Sequence, residues 1–336
     1  MARIFTEGFE TGDNLGFNPV TSSVTIISTN PRSGSYCAKF STATSIGTII
    51  ISAIGELYVR FGFMTGQNNK VDVRFAWMSD STVLGHLRVQ NNGLVNGINA
   101  YSSTSTLLAN GTINITTNTW YLVEIYIKIG DNPNGRVITK IDGITDIDFT
   151  GDTQPAAITT VNRIDFKGQG STGEENYFDD MAINNTSGTS DNSWCGDGHI
   201  IALIPDSAGD VTQLIPSSGS SNWSLVDERP ANITDYVSGS VVGEYDLYNL
   251  TPFSVSNASV KRIWAETRSL DTVAEGGTIS IGIKVNGEGE DWGSYNSLLT
   301  TYYRYIGTVY PLTPSGSAVW TSTNLNNLQI GIKTGT

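Results

Sequence analysis

The chain alternates apolar and polar residues with a period of two through most of its length, which confines it to strands. Leu57, Val59, Phe61 and Phe63 recur on one face of the segment 56–64, and Val71, Val73, Phe75 and Trp77 on one face of 70–78. Between 120 and 129, Tyr121, Val123, Ile125, Ile127 and Ile129 alternate with Glu124, Tyr126 and Lys128. Side chains of a strand point to opposite faces in turn, so this pattern marks half-buried strands with one solvated side. Asn-Gly at 134 and 286 and Asp-Gly at 142 supply the positive φ of tight hairpins. No amphipathic pattern of three helical turns occurs, and Ser, Thr, Asn and Gly, which dominate the polar positions, are poor helix formers. These features predict an all-β chain of two antiparallel β-sandwich, jelly-roll-like domains in tandem.

Two domains also suit the length of 336 residues. The segment 184–193 carries no apolar residue and reads as a connection. The expected division is a first domain over 1–188, a linker over 189–195 and a second domain over 196–336. The formal net charge is −13, from 19 Lys and Arg against 32 Asp and Glu. Phosphate contacts need a basic surface, so this balance excludes a nucleic-acid partner. The most apolar run, 46–54, is far short of the roughly 20 residues of a membrane-spanning helix, so no membrane insertion is expected. The first ten residues lack the apolar stretch of a secretory signal, which gives the expectation of a soluble protein made in a cytoplasm. Cys37 and Cys195 are too few for a disulfide framework and read as free thiols.

Four pieces of the first domain, in this order, resemble the concanavalin-A-like jelly rolls (lectin/glucanase, laminin-G and MAM). Phe5, Phe9-Glu10 and Gly12-Asp13 are similar to the opening strand, and SGSYCAKF at 33–40 to an early core strand. WYLVEIYI at 120–127 and YFDDMAI at 177–183 are similar to later strands. In the MAM-like branch an opening-strand Glu and a closing-strand Asp often meet around calcium. The resemblance therefore implies Glu10, Asp13 and Asp180, with Asp179 as an alternative, as ligands of a structural calcium ion. A carboxylate on a closing strand beside Phe178 needs a partner if it faces inward. Turn capping and solvent exposure are the competing roles for these residues.

The second domain resembles a module of tailed-bacteriophage structural proteins. It carries GDGHI at 196–200, NWSLVDE at 222–228, GEYDLY at 243–248 and the ending AVWTSTNLNNLQIGIK at 318–333. This likeness implies a virion component.

The residues offer little catalytic equipment. Glucanases of the jelly-roll group carry E-x-D-x-E on one strand, and no such triplet occurs. Glu174-Glu175 and Asp179-Asp180 are adjacent pairs, whose members should point to opposite faces of a strand. The two histidines are His86, read as a structural residue in a strand, and His199, four positions after Cys195. Two ligands do not make a structural zinc site, which needs four. Trp223, Trp292, Tyr295, Tyr302, Tyr303 and Tyr305 suit sugar stacking, a protein interface or the core.

The sequence thus leads to the expectation of a non-enzymatic virion structural protein, a capsid decoration or a tail/fibre accessory. It would be assembled in the host cytoplasm and sit on the virion surface. It would bind other virion proteins as a homo-oligomer and require no cofactor. A lectin-like adhesin for a host surface glycan is the alternative, and a polysaccharide hydrolase is the reading the carboxylate pattern opposes.

Overall fold

A computed structural model describes residues 3–67, 73–91, 93, 95–168, 175–219, 221–272, 276–316 and 318–336. The expected strand over 70–78 is therefore described from Val73 onward, and Glu174 and Val71 lie outside the described residues. The chain divides into two compact units, 1–201 and 202–336. Among the described residues no helix is long and apolar enough to cross a membrane, which says nothing of a β-barrel.

The first unit is built from β1 (Arg3–Glu7), β2 (Val24–Ile27), β3 (Cys37–Phe40), β4 (Ile46–Ile54), β5 (Glu56–Thr65), β6 (Val73–Ser79) and β7 (Thr82–Asn91). It continues with β8 (Asn96–Ser102), β9 (Leu107–Ala109), β10 (Tyr121–Lys128), β11 (Gly135–Ile141), β12 (Ile144–Gly151), β13 (Val161–Lys167) and β14 (Asn176–Asn185). An eight-stranded sheet has the order β12-β11-β10-β5-β14-β3-β2, with β1 on β14, and a six-stranded sheet has the order β4-β13-β6-β7-β8-β9. Pairing is antiparallel throughout. The alternating apolar positions fill the space between the sheets. Phe61 of β5 stacks on Phe75 of β6 at 5.4 Å, and Phe166 of β13 meets both Phe61 and Phe178 of β14 edge-on at 5.2 and 5.0 Å. Aromatic pairs prefer these offset and edge-to-face arrangements, which fix how the two sheets face each other.

The segment expected to be a linker belongs to this first unit. Asn184 Nδ2 donates to the Ser193 carbonyl at 2.8 Å, Gly196 N to Glu124 Oε1 at 2.7 Å, and Arg60 Nη1 to the Gly196 carbonyl at 3.3 Å. Trp194 packs edge-on to Tyr58 at 5.3 Å, with the Lys140 ammonium 3.9 Å from its ring centroid. Residues 193–200 form a strap over the outer face of the eight-stranded sheet. The face carrying Glu124 and Tyr126 is therefore buried, where alternation alone predicts a solvated side. The physical reason is that buried Arg60 and Glu124 need partners, and the strap backbone provides them.

The second unit holds β15 (Pro205–Thr212), β16 (Ile215–Pro216), β17 (Val237–Ser238), β18 (Tyr245–Leu250) and β19 (Ile263–Ser269). After these come β20 (Thr278–Val285), β21 (Gly289–Trp292), β22 (Asn296–Ser297), β23 (Tyr303–Tyr310) and β24 (Gln329–Thr334). A six-stranded sheet, β15-β18-β24-β20-β21 with β22 on β20, accompanies the two-stranded sheets β19-β23 and β16-β17. Ile279, Ile281, Ile283 and Val285 of β20 pack with Ala265, Tyr305 and Tyr310 in one core. The distinctive chain ending is a packing device. Trp320 is buried and donates from Nε1 to the Tyr310 carbonyl at 3.0 Å. Thr321 and Asn324 form a capping box at the short helix α1 (Ser322–Asn326), which sets Leu325 into the core.

Candidate functional site

The six-stranded sheet of the first unit has an inner face in the core and a second face that carries its polar side chains. On β7, Leu87 and Val89 point into the core, so His86, Arg88 and Gln90 point away from it. Cross-strand pairing lines up Thr48, Asp165, Ala76, His86 and Tyr101 in one row over β4, β13, β6, β7 and β8. Arg74, Arg88, Arg163 and Lys167 stand two residues from this row on the same face.

A polar sheet face is normally wet. This one is sheltered: Arg74, Ala76, His86, Tyr101 and Asp165 are all buried. The imidazole of His86 lies parallel to the Tyr101 ring, 5.4 Å away and tilted by 7°. The Arg88 guanidinium sits 4.6 Å from the Tyr101 centroid and donates to Ser105 Oγ at 2.8 Å. At the other end of the row, Asp165 accepts from Thr48 Oγ1 at 2.8 Å and from Arg163 Nε and Nη2 at 2.8 and 3.0 Å. Lys167 Nζ is 3.9 Å from the same carboxylate.

Some hydrogen-bonding capacity on this face is unspent. His86 Nε2, Arg88 Nε and Gln90 Oε1 are buried without a partner among the described residues. Buried polar atoms are nearly always satisfied, by protein or by ordered water, so three such atoms on one face leave bonding capacity for a water or another molecule. Burial, and then the positive charges of Arg88 and Lys167, push the His86 imidazole down to about 4. The ring is therefore neutral near pH 7, with one nitrogen an acceptor and the other a donor. Burial raises the Tyr101 hydroxyl, against the opposing effects of Arg88 and a hydrogen bond with Gln90.

The residues expected around calcium lie elsewhere in the unit, where β14 meets the corner at Arg32 and Ser33. A bulge falls between Asp179 and Ala182, and Asp180 has φ 49°, in the left-handed region. The bulge cancels the expected alternation, so the adjacent carboxylates of Asp179 and Asp180 both turn to the same corner. Asp179 accepts from the backbone N–H groups of Arg32 at 2.8 Å, Ser33 at 3.2 Å and Asp180 at 2.7 Å. Asp180 accepts from Arg32 Nη1 and Ser33 Oγ, both at 2.7 Å, and from Ile200 N at 2.8 Å, with His199 Nδ1 at 3.4 Å. Glu10 accepts from Ser35 N at 2.8 Å and Tyr36 N at 3.1 Å, and Asp13 closes its own turn through Thr11 and Leu15.

A calcium ion needs oxygen lone pairs converging on it. Here N–H donors and a guanidinium converge on the carboxylates, so this donor set does not suit the ion. Among the described residues no group of three or more His, Cys, Asp or Glu side chains could hold a metal. The corner is instead a clasp that holds the strap. Burial would raise Asp180, but the bonds from His199, Ser33, Ile200 and Arg32 outweigh it and hold the carboxyl below its ordinary range. Burial and the neighbouring Asp180 charge hold Asp179 above that range.

Cys37 and Cys195 are free thiols. In the second unit the aromatic candidates split. Tyr305 is in the core, and Tyr295 and Tyr303 are exposed. Trp292 lies against Gly282, with Lys333 Nζ 4.1 Å from its ring centroid and Tyr245 edge-on at 5.2 Å.

No family model matches the chain, and no curated protein matches it. Several solved structures are similar in fold. An endo-β-1,4-glucuronan lyase from the fungus Trichoderma reesei aligns at TM-score 0.43 and 14% identity, over 55% of this chain and 95% of the lyase. Domain 4 of AbnA, an extracellular arabinanase of Geobacillus stearothermophilus, aligns at TM-score 0.36 and 15% identity, over 55% and 92%. The Caenorhabditis elegans galectin LEC-6 aligns at TM-score 0.29 and 14% identity, over 44% and 96%. At these values the likeness concerns the β-sandwich alone, and no residue role is carried over from it.

Proposed function

We propose that the protein binds a saccharide on the polar face of the six-stranded sheet, with His86, Tyr101, Arg88 and Gln90 as its contacts. The observation that carries this reading is the buried, unpartnered His86 Nε2 between Ala76 and Tyr101 in a sheltered row. A hydroxyl-rich ligand supplies donors and acceptors at the spacing of such a row and would satisfy the atoms now unspent. Of the functions read from the sequence, this is the lectin-like one. Docking on a virion lattice has only the residue likeness of 196–336 behind it.

Affinity electrophoresis of the full chain through gels containing soluble polysaccharides tests the reading. At least one polymer should retard the protein, and Gln90→Ala should weaken the retardation several-fold without changing the melting temperature. Unchanged mobility in every gel would overturn it.

His86 favours one second reading. A neutral imidazole with a free nitrogen beside a tyrosine is also the equipment of a general base. Shortening of a bound polysaccharide during incubation, abolished in His86→Gln, would make the face an active site. Recovery of intact polymer leaves it a binding surface.

A further inference from the structure

The charge on this face runs against the charge of the whole chain. Acidic residues outnumber basic ones by 32 to 19 overall. On this face Arg88, Arg163 and Lys167 stand against Asp165, the one carboxylate among the described residues of the six strands. Asp165 is already engaged, by Arg163 through two nitrogens and by Lys167 at 3.9 Å. Among the described residues no carboxylate pairs with Arg88: its guanidinium rests on Ser105 and the Tyr101 ring, and its Nε is unpartnered. Arg88, Arg163 and Lys167 thus bring three positive charges to a row with one negative charge.

Gathering cations on a sheltered face is unfavourable unless something negative offsets them. The guanidinium of Arg88, 4.6 Å from the Tyr101 centroid and with its Nε–H unpartnered, retains donors suited to a carboxylate or sulfate. From this charge balance and the unpartnered nitrogens we infer that the saccharide bound here is anionic, bearing carboxylate or sulfate groups that face Arg88 and Lys167. The inference rests on the saccharide-binding reading and narrows it to a class of ligand. It also fits the protein's overall charge: an acidic chain repels polyanions in general, so attraction has to come from a local site.

Calorimetric titration of the full chain with polygalacturonate, dextran sulfate and neutral dextran tests it. The expected result is binding to one or both charged polymers, weakening as salt is raised, with none to dextran. Preference for polygalacturonate identifies carboxylate as the group read, and preference for dextran sulfate identifies sulfate. Lys167→Gln, at a side chain one quarter exposed, should lower the affinity for the charged polymer at least threefold, and Arg88→Gln at least tenfold. Equal binding to dextran, or charged-polymer binding indifferent to both substitutions, would overturn the anionic assignment while leaving saccharide binding in place. Failure to bind any polymer, in the calorimeter and in affinity gels alike, would overturn both. Circular dichroism of each variant separates loss of binding from loss of fold.

Discussion

Arg32 and Asp180, 148 residues apart in the chain, meet at 2.7 Å over a carboxylate with no exposed surface. Arg32 also donates to the Gly198 carbonyl at 3.2 Å and to Asp197 at 2.6 Å, so one guanidinium ties the closing strand to the strap. Removing one partner of such a pair strands a buried charge, at a cost of roughly 3–5 kcal/mol. Arg32→Met should lower the urea midpoint accordingly. Hydrogen exchange should speed up at the amides of Gly196 and Ile200 before the rest of the first unit. Unchanged protection there would show that the strap is held by other contacts.

His199 tests the same clasp by pH. Its hydrogen bond to Asp180, outweighing partial burial, raises the imidazole above its ordinary value of 6.5. The folded state then binds the proton more tightly than the unfolded state. The stabilisation is complete below about pH 6.5 and is lost as pH rises through the folded value. The ring is half exposed, so the effect is small, on the order of 0.5 kcal/mol. His199→Ala should be less stable than the native chain at pH 5.5 and equal to it at pH 9.

His86 has the opposite sign. Burial, Arg88 and Lys167 hold it at about 4, so below its ordinary 6.5 the unfolded chain takes up a proton that the folded chain refuses. This contribution to stability is fully present above about pH 6.5 and is lost as pH falls toward 4. His86→Gln should flatten that limb of the stability profile, measured by urea melts from pH 7 to pH 4. A profile parallel to that of the native chain would mean that His86 titrates freely.

Burial, followed by nearby carboxylates, pushes the Cys37 thiol up to about 12. Cys195 is pushed up to about 11, by burial first and against the charges of Arg3 and Arg60. The thiolate is the reactive form. A maleimide should label neither cysteine of the native chain at pH 7.5 on the timescale on which it labels both in guanidinium. Fast native labelling at Cys195 would report opening of the strap.

The strands were legible because burial of one face leaves a period-two record in the sequence. Leu57, Val59, Phe61 and Phe63 all lie in the core that their spacing implies. The strap was not legible, because much of its hold runs through backbone groups of Ser193, Gly196 and Gly198, and the side chains that join them, Trp194, Asp197 and His199, follow no strand periodicity. The corner at Asp179 and Asp180 departs from the expected alternation because its strand is irregular. Alternation assumes a regular strand, and one bulged residue reverses the direction of a carboxylate. The polar face is not legible in the sequence because its members come from five strands whose lateral order a single sequence does not state. The signal present in the residues was a run of basic outward positions, Arg74, Arg88, Arg163 and Lys167, in an acidic chain. The aromatic ending at Trp320 was visible as a motif, and its reason is packing rather than recognition.

The strap has a consequence for how such a chain can be rearranged. A cut at residue 188 would strip Glu124 of the Gly196 N–H, leave Arg60 with the Asp180 carbonyl but without that of Gly196, and remove Trp194 from Tyr58 and Tyr126. The smallest part that can be exchanged between proteins is therefore the sandwich together with its strap, through Ile201. Recombination at the polar stretch 184–193, the place that looks most permissive, would divide a unit that folds as one.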